Sequence, residues 1–288
     1  MGEQARCTAR RRKLGAALRE ARDRAGVAVT QAARAVDGGS SKVSRIETGR
    51  HRITQTELKA LMDLYRIRDE KTRDWLIALA SEGRKRTWWR KYPDVISNGF
   101  KENLTLETEA ARIAAHHTQV IPGLLQTHEY AKAVMAGAPD PYTDEQLERY
   151  ADFRMARQCV FERDDAPQYA CVIPEGVIRH PVGGPDVMAA QLRKLIAASR
   201  PPAITIQVLP FTQYAFTCTG GSFTLYSYPD PLDFDVVHIE HLDGELFLEE
   251  DETAARYRRV FESLRASALP AQESTEVLAS IADALERK

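Results

Sequence analysis

The sequence predicts an N-terminal all-α domain of five short helices carrying a helix-turn-helix, followed by a larger α+β domain. Three observations predict it. The 288 residues suffice for one large domain or two modest ones at about 150 residues each. Charge divides along the chain: residues 1–92 hold 23 Lys+Arg against 11 Asp+Glu, and residues 93–288 hold 17 against 30. A formal total of −1 thus joins a unit of net +12 to one of −13, and such asymmetry points to a polyanion-binding end. Hydrophobic spacing also changes, from helical in the first 86 residues to partly alternating after residue 168.

Leu14, Ala17, Leu18, Ala21 and Ala25 recur at helical spacing, and Gly26 is a stop signal. Thr30 can cap a second helix over 31–36, which Asp37-Gly38-Gly39-Ser40 breaks with turn chemistry. Ser40 or Ser41 can cap a third helix running to Thr48 and closed by Gly49. Thr54 caps a fourth over 56–65, and a fifth is expected over 70–86, with Trp75, Leu76 and Leu79 on its apolar side. Residues 87–100, with Trp88-Trp89-Arg90-Lys91-Tyr92, are expected as a linker between domains 1–86 and 101–288. Beyond it, helices are expected near 101–117, 127–136, 143–163, 185–199, 252–267 and 271–286. Strands are expected at 169–173, 204–209, 223–228, 236–241 and 245–249.

A DNA-reading helix-turn-helix needs a small residue where its helices cross, an apolar seal and a tight turn. Ala33 is the small residue, Ala32, Val36, Val43 and Ile46 form the seal, and Asp37-Gly38-Gly39 is the turn. Ser41, Lys42, Ser44 and Arg45 then occupy the other face of the recognition helix, with the chemistry that reaches base edges and phosphates. Arg11 and Arg12, within Arg10-Arg11-Arg12-Lys13, and Arg50 and Arg52, within Arg50-His51-Arg52, flank the unit as phosphate contacts or as solvated charged faces.

With Gly26, the Ala33 crossing and Ser41-Lys42-Val43-Ser44-Arg45-Ile46-Glu47-Thr48-Gly49-Arg50, the chain resembles the phage-repressor-like (Xre-type) regulators. The resemblance implies a structural pair between Arg22 and Glu47, tying the recognition helix to the first helix. The chain departs from the family at Asp37, where a glycine is usual and the backbone often turns left-handed. Trp88-Trp89, Pro122-Gly123-Leu124-Leu125-Gln126-Thr127, Arg154-Met155-Ala156-Arg157-Gln158 and Pro181-Val182-Gly183-Gly184-Pro185 extend the likeness to one actinobacterial subgroup. Its C-terminal domain is described as antitoxin-like and has no settled activity, and several members are encoded beside a small partner protein.

The remaining sequence is mainly informative by exclusion. No apolar run approaches the ~18 residues that span a bilayer, and no signal segment follows the basic N-terminus, so a cytoplasmic protein is expected. Cys7, Cys159, Cys171 and Cys218 form no C-x-x-C pair, and the histidines lack metal-ligand spacing. His238-Ile239-Glu240 resembles the H-x-E of zinc deaminases but lacks the Pro-Cys-x-x-Cys partner. No nucleophile elbow, phosphate loop or dinucleotide fingerprint occurs, so no catalytic, cofactor or metal residue is assigned and no enzyme is expected. Gly183-Gly184-Pro185-Asp186 opens a helix whose amides could hold an anion or serve conformation alone. The acidic run from Glu240 to Glu252 is a solvated edge or a docking surface. The expected function is a homodimeric transcription regulator that binds double-stranded DNA and senses a small-molecule effector or protein partner. The alternative is an antitoxin-like protein that binds a small partner and autoregulates its operon.

Overall fold

The structure is a computed structural model that describes residues 8–81, 88–139, 141–212, 221–229, 232–242 and 244–287. It divides into two units, Met1–Lys85 with Tyr228–Phe234, and Arg86–Ser227 with Asp235–Lys288.

In the first unit, Thr8 caps α1 (Ala9–Arg24), and Leu14 and Leu18 fall on its buried side. Gly26 ends the helix at φ +66°, letting the Val27 amide reach back to the Arg22 carbonyl. α2 (Val29–Ala35) begins two residues before the expected first residue: Thr30 lies inside it, and Gln31 Oε1 accepts from the Ala28 amide instead. α3 (Ser40–Glu47) follows Gly39, so Ser40 is its first residue and neither serine caps it. Thr54 does cap α4 (Gln55–Leu64), in a reciprocal box with Glu57. Asp69 caps α5 (Glu70–Ala80), which stops short of the expected Arg86; residues 82–87 lie outside the described ones. The expected five-helix domain is therefore present.

The second unit is α+β, as expected, with α6 (Asn98–Glu109), α7 (His128–Ala136), α8 (Asp144–Arg157), α9 (Glu175–Arg179), α10 (Pro185–Ala198), α11 (Asp251–Ser267) and α12 (Ala271–Glu286). Its strands are β1 (Arg112–His116), β2 (Gln168–Pro174), β3 (Ile204–Leu209), β4 (Phe223–Tyr228), β5 (Phe234–His241) and β6 (Gly244–Leu248). They form one mixed six-stranded sheet in the order β3-β2-β1-β4-β5-β6. β1 pairs parallel with β2 and antiparallel with β4. This central strand corrects the helix expected over 101–117, which ends at Glu109.

Residues 88–100, expected as the linker, fold onto the second unit: Trp88 stacks on Phe153 at 5.7 Å between ring centroids, and Tyr92 meets the same ring. Register assigns the sheet faces, because directly paired residues share a side. Ala114 faces with Ala170 and Leu225, and His116 with Val172 and Phe223; α11 covers this side with Phe261 and Leu264. Ile113 and Ala115 share the opposite side with Tyr169, Cys171, Thr224 and Tyr226. That side is unusually polar. Tyr226 donates to Asn103 Oδ1 at 2.7 Å, and Arg157 from α8 forks onto the Glu107 carboxylate from α6.

Candidate nucleic-acid interface

α3 presents two faces with different chemistry. Val43 and Ile46 are buried in the helical core, whereas Ser41, Ser44 and Arg45, at spacings of three and four, are exposed together. Arg45 Nε donates to the Ser41 carbonyl at 3.3 Å, leaving the rest of its guanidinium fork turned outward along that face. Arg50 and Arg52 follow as exposed residues after the Gly49 turn, where φ is +72°. Arg11 and Arg12 sit in the first turn of α1, half-buried.

Lys42 departs from the expected set. Its ammonium donates to the Val36 carbonyl at 2.9 Å and pairs with Glu57, so it bolts α3 to α4 and does not join the exposed face. Partial burial works against the Glu57 carboxylate, but Lys42 and the Thr54 amide and hydroxyl outweigh it and hold its pKa below the ordinary value. The reason is positional: residue 42 lies one step round the helix from Ser41, and its long stem reaches the turn it leaves.

Two contacts fix the tilt of α3. Arg22 Nε and Nη2 donate to the two Glu47 oxygens at 2.6 and 3.1 Å, a bidentate fork between side chains only 10% and 8% exposed. The Glu47 hydrogen bond raises the Arg22 pKa, in spite of burial. The second contact, at Gly15 of α1, has no motif in the sequence to mark it. A β-carbon there would lie 2.5 Å from the Glu47 carbonyl oxygen and 2.6 Å from that of Ile46. Helix propensity alone predicts that Gly15→Ala stabilises α1 by about 1 kcal/mol. The collision with backbone reverses the sign, and thermal unfolding of Gly15→Ala should show a net loss of roughly 1–3 kcal/mol.

Asp37 does adopt the left-handed backbone, at φ +44°, and the Gly38 amide closes the turn onto the Ala33 carbonyl at 3.0 Å. Asp37→Gly removes a side-chain clash at this conformation and gives some back in chain entropy. It should raise the urea midpoint by the equivalent of roughly 0.5–1 kcal/mol.

In the second unit, the motif Pro122-Gly123-Leu124-Leu125-Gln126-Thr127 is a 3-10 turn leading into α7. Gln191 bridges it, accepting from the Thr127 amide at 2.6 Å and donating to the Leu125 carbonyl at 2.8 Å. Gln158 and Lys194 both donate to the Gln126 carbonyl. His238 pairs with Glu245 at 3.1 Å, and no group of three or more metal-ligating side chains occurs among the described residues. Burial pushes the Cys171 thiol pKa well up, which suits a packing role. Cys7 and Cys218 lie outside the described residues. No described helix is long and apolar enough to cross a membrane.

A helix-turn-helix domain family matches residues 13–76, and a family described as a domain of unknown function (DUF5753) matches residues 100–280. No curated protein and no solved structure matches the chain. The first match, on a unit whose recognition helix exposes Ser41, Ser44 and Arg45, supports a DNA-binding regulator. The second covers more than half the chain, which therefore belongs to the DUF5753 family and carries a helix-turn-helix DNA-binding domain ahead of that domain.

Proposed function

We propose that the protein is an Xre-type transcription regulator that acts in the cytoplasm as a homodimer, reading a two-fold DNA site with α3. The exposed Ser41–Ser44–Arg45 face carries this reading, because its tilt is held by buried contacts while its reading groups stay free of the core. Arg45 reads a base edge, Ser41 and Ser44 take a base or phosphate, and Arg50, Arg52, Arg11 and Arg12 supply phosphate contacts. Dimerisation follows from the usual match between two-fold proteins and palindromic half-sites. The acidic second unit is the sensing half, and its net negative charge disfavours contact with the duplex.

Footprinting on the DNA upstream of its own gene locates the site, and titrations at fixed salt test the register. Arg45→Ala should weaken specific binding by roughly 1–3 kcal/mol and relax preference at one base position. Arg50→Ala should weaken all sequences alike and lower the salt slope by about one. Unchanged affinity and preference in Arg45→Ala would place the reading face elsewhere.

A further inference from the structure

We propose that the second unit binds the oxyanion group of a small molecule, a carboxylate or a phosphate, between Arg154 and Arg157 above the Gly123 turn. The proposal rests on the sensing role given to this unit and names the chemistry it would sense.

Three observations converge on this place. The first is an imbalance of charge. Arg157 is 8% exposed and its Nε and Nη2 are taken by Glu107, but among the described residues no carboxylate reaches Arg154. Arg154 is held through Nε and Nη2 by the Tyr150 hydroxyl and lies over the Tyr150 ring at 4.9 Å. Both guanidinium groups also sit over one aromatic ring, Phe100, at 5.9 Å for Arg154 and 4.9 Å for Arg157. Two cations share one counter-charge in a partly desolvated place, which favours a further anion.

The second observation is convergence. Nη1 of Arg154 donates to nothing among the described residues; Glu107 does not occupy Nη1 of Arg157, whose guanidinium also hydrogen-bonds the Tyr226 hydroxyl. Both Nη1 atoms lie beside Gly123: a β-carbon there would collide with that of Arg154 and lie 3.2 Å from that of Arg157. The absence of a side chain at residue 123 admits the Arg154 guanidinium against the turn and brings the two Nη1 atoms close together, and one oxyanion spans two such donors.

The third is rigidity. Gln191, Gln158 and Lys194 pin the turn, and α8 carries both arginines one turn apart, so the donors are ordered before any ligand arrives. The sequence motifs around Gly123 and over 154–158 thus meet at one place. Helix-turn-helix chemistry uses neither of them.

The test is equilibrium dialysis of the full chain with inorganic phosphate and, separately, acetate, at constant ionic strength, for wild type, Arg154→Lys, Arg154→Gln and Arg45→Ala. A saturable component should be present in wild type and Arg45→Ala. It should be several-fold weaker in Arg154→Lys, which keeps the charge but loses the fork, and about tenfold or more weaker in Arg154→Gln. Whichever anion binds more tightly names the source. If wild type binds neither anion saturably, or both Arg154 variants match it, the site is overturned. Should Arg154→Gln not fold, the Lys variant decides alone. Operator titrations with and without the bound anion then address sensing separately: unchanged DNA affinity leaves the site standing and removes the sensing role.

Discussion

Arg22→Ala should destabilise the helix-turn-helix unit by roughly 3–5 kcal/mol, a large share of the stability of a small domain. The substitution leaves the Glu47 carboxylate, 8% exposed, without the fork that compensates its burial. Glu47→Ala should be milder. Arg22 would keep Asp23 at 2.7 Å and the Val27 carbonyl at 3.2 Å. That asymmetry distinguishes a buried pair from a surface one, in which both variants would change stability by less than about 1 kcal/mol. The double variant Arg22→Met with Glu47→Leu, having no charge left to bury, should recover most of the loss. Hydrogen exchange of the α1 to α3 amides reads the effect in this unit alone. DNA affinity should fall more than exchange stability in Glu47→Ala, because the same fork sets the tilt of the reading helix.

The helix-turn-helix was largely legible from sequence because its signals are local. Ala33, the Asp37-Gly38-Gly39 turn and the spacing of Val43 and Ile46 lie within one short stretch, and helical periodicity places Ser41, Ser44 and Arg45 on one side. What periodicity does not resolve is where a long side chain ends. Lys42 carried the right charge on the right helix, yet Glu57, 15 residues on, claims it. Gly15 was invisible for a similar reason: its contact is with backbone carbonyls 31 and 32 positions away. The caps of α2 and α3 misled because Thr30, Ser40 and Ser41 have capping chemistry, while the chain enters both helices one or two residues earlier, through Ala28 and Gly39.

The second unit was harder to read because its central strand imitates a helix. Arg112-Ile113-Ala114-Ala115-His116 is alanine-rich and short, and it is covered on both faces, so it shows neither polar alternation nor a β-branched run. Its pairing comes from residues 168–172 and 223–227, far outside any local window. Once β1 is in place, the polar side of the sheet becomes intelligible. The pairing of Ile113 with Tyr169 and Tyr226 brings both phenols to the face where α6 and α8 deliver Asn103, Glu107 and Arg157. Motif recognition had singled out Arg154 and Arg157 without a role. The role proposed for them depends on Gly123 and Phe100, which come from other elements.

The same geometry gives Glu107 a large expected effect in the second unit. Its side chain is 3% exposed and its two oxygens take three hydrogen bonds from Arg157. Glu107→Ala leaves the Arg157 guanidinium buried beside Arg154, over one ring and above one glycine, with no carboxylate for either. The expected loss is roughly 3–5 kcal/mol, seen as unfolding of α6, α8 and the sheet while the helix-turn-helix unit keeps its own stability. Glu107→Gln keeps an acceptor for Arg157 and should lose less. If the two arginines form an oxyanion seat, inorganic phosphate should restore more stability to Glu107→Ala than it adds to wild type, since it then compensates two cations where it compensated one. Equal phosphate effects on both proteins, measured by thermal unfolding at constant ionic strength, would separate Glu107 from that seat and leave it a packing pair.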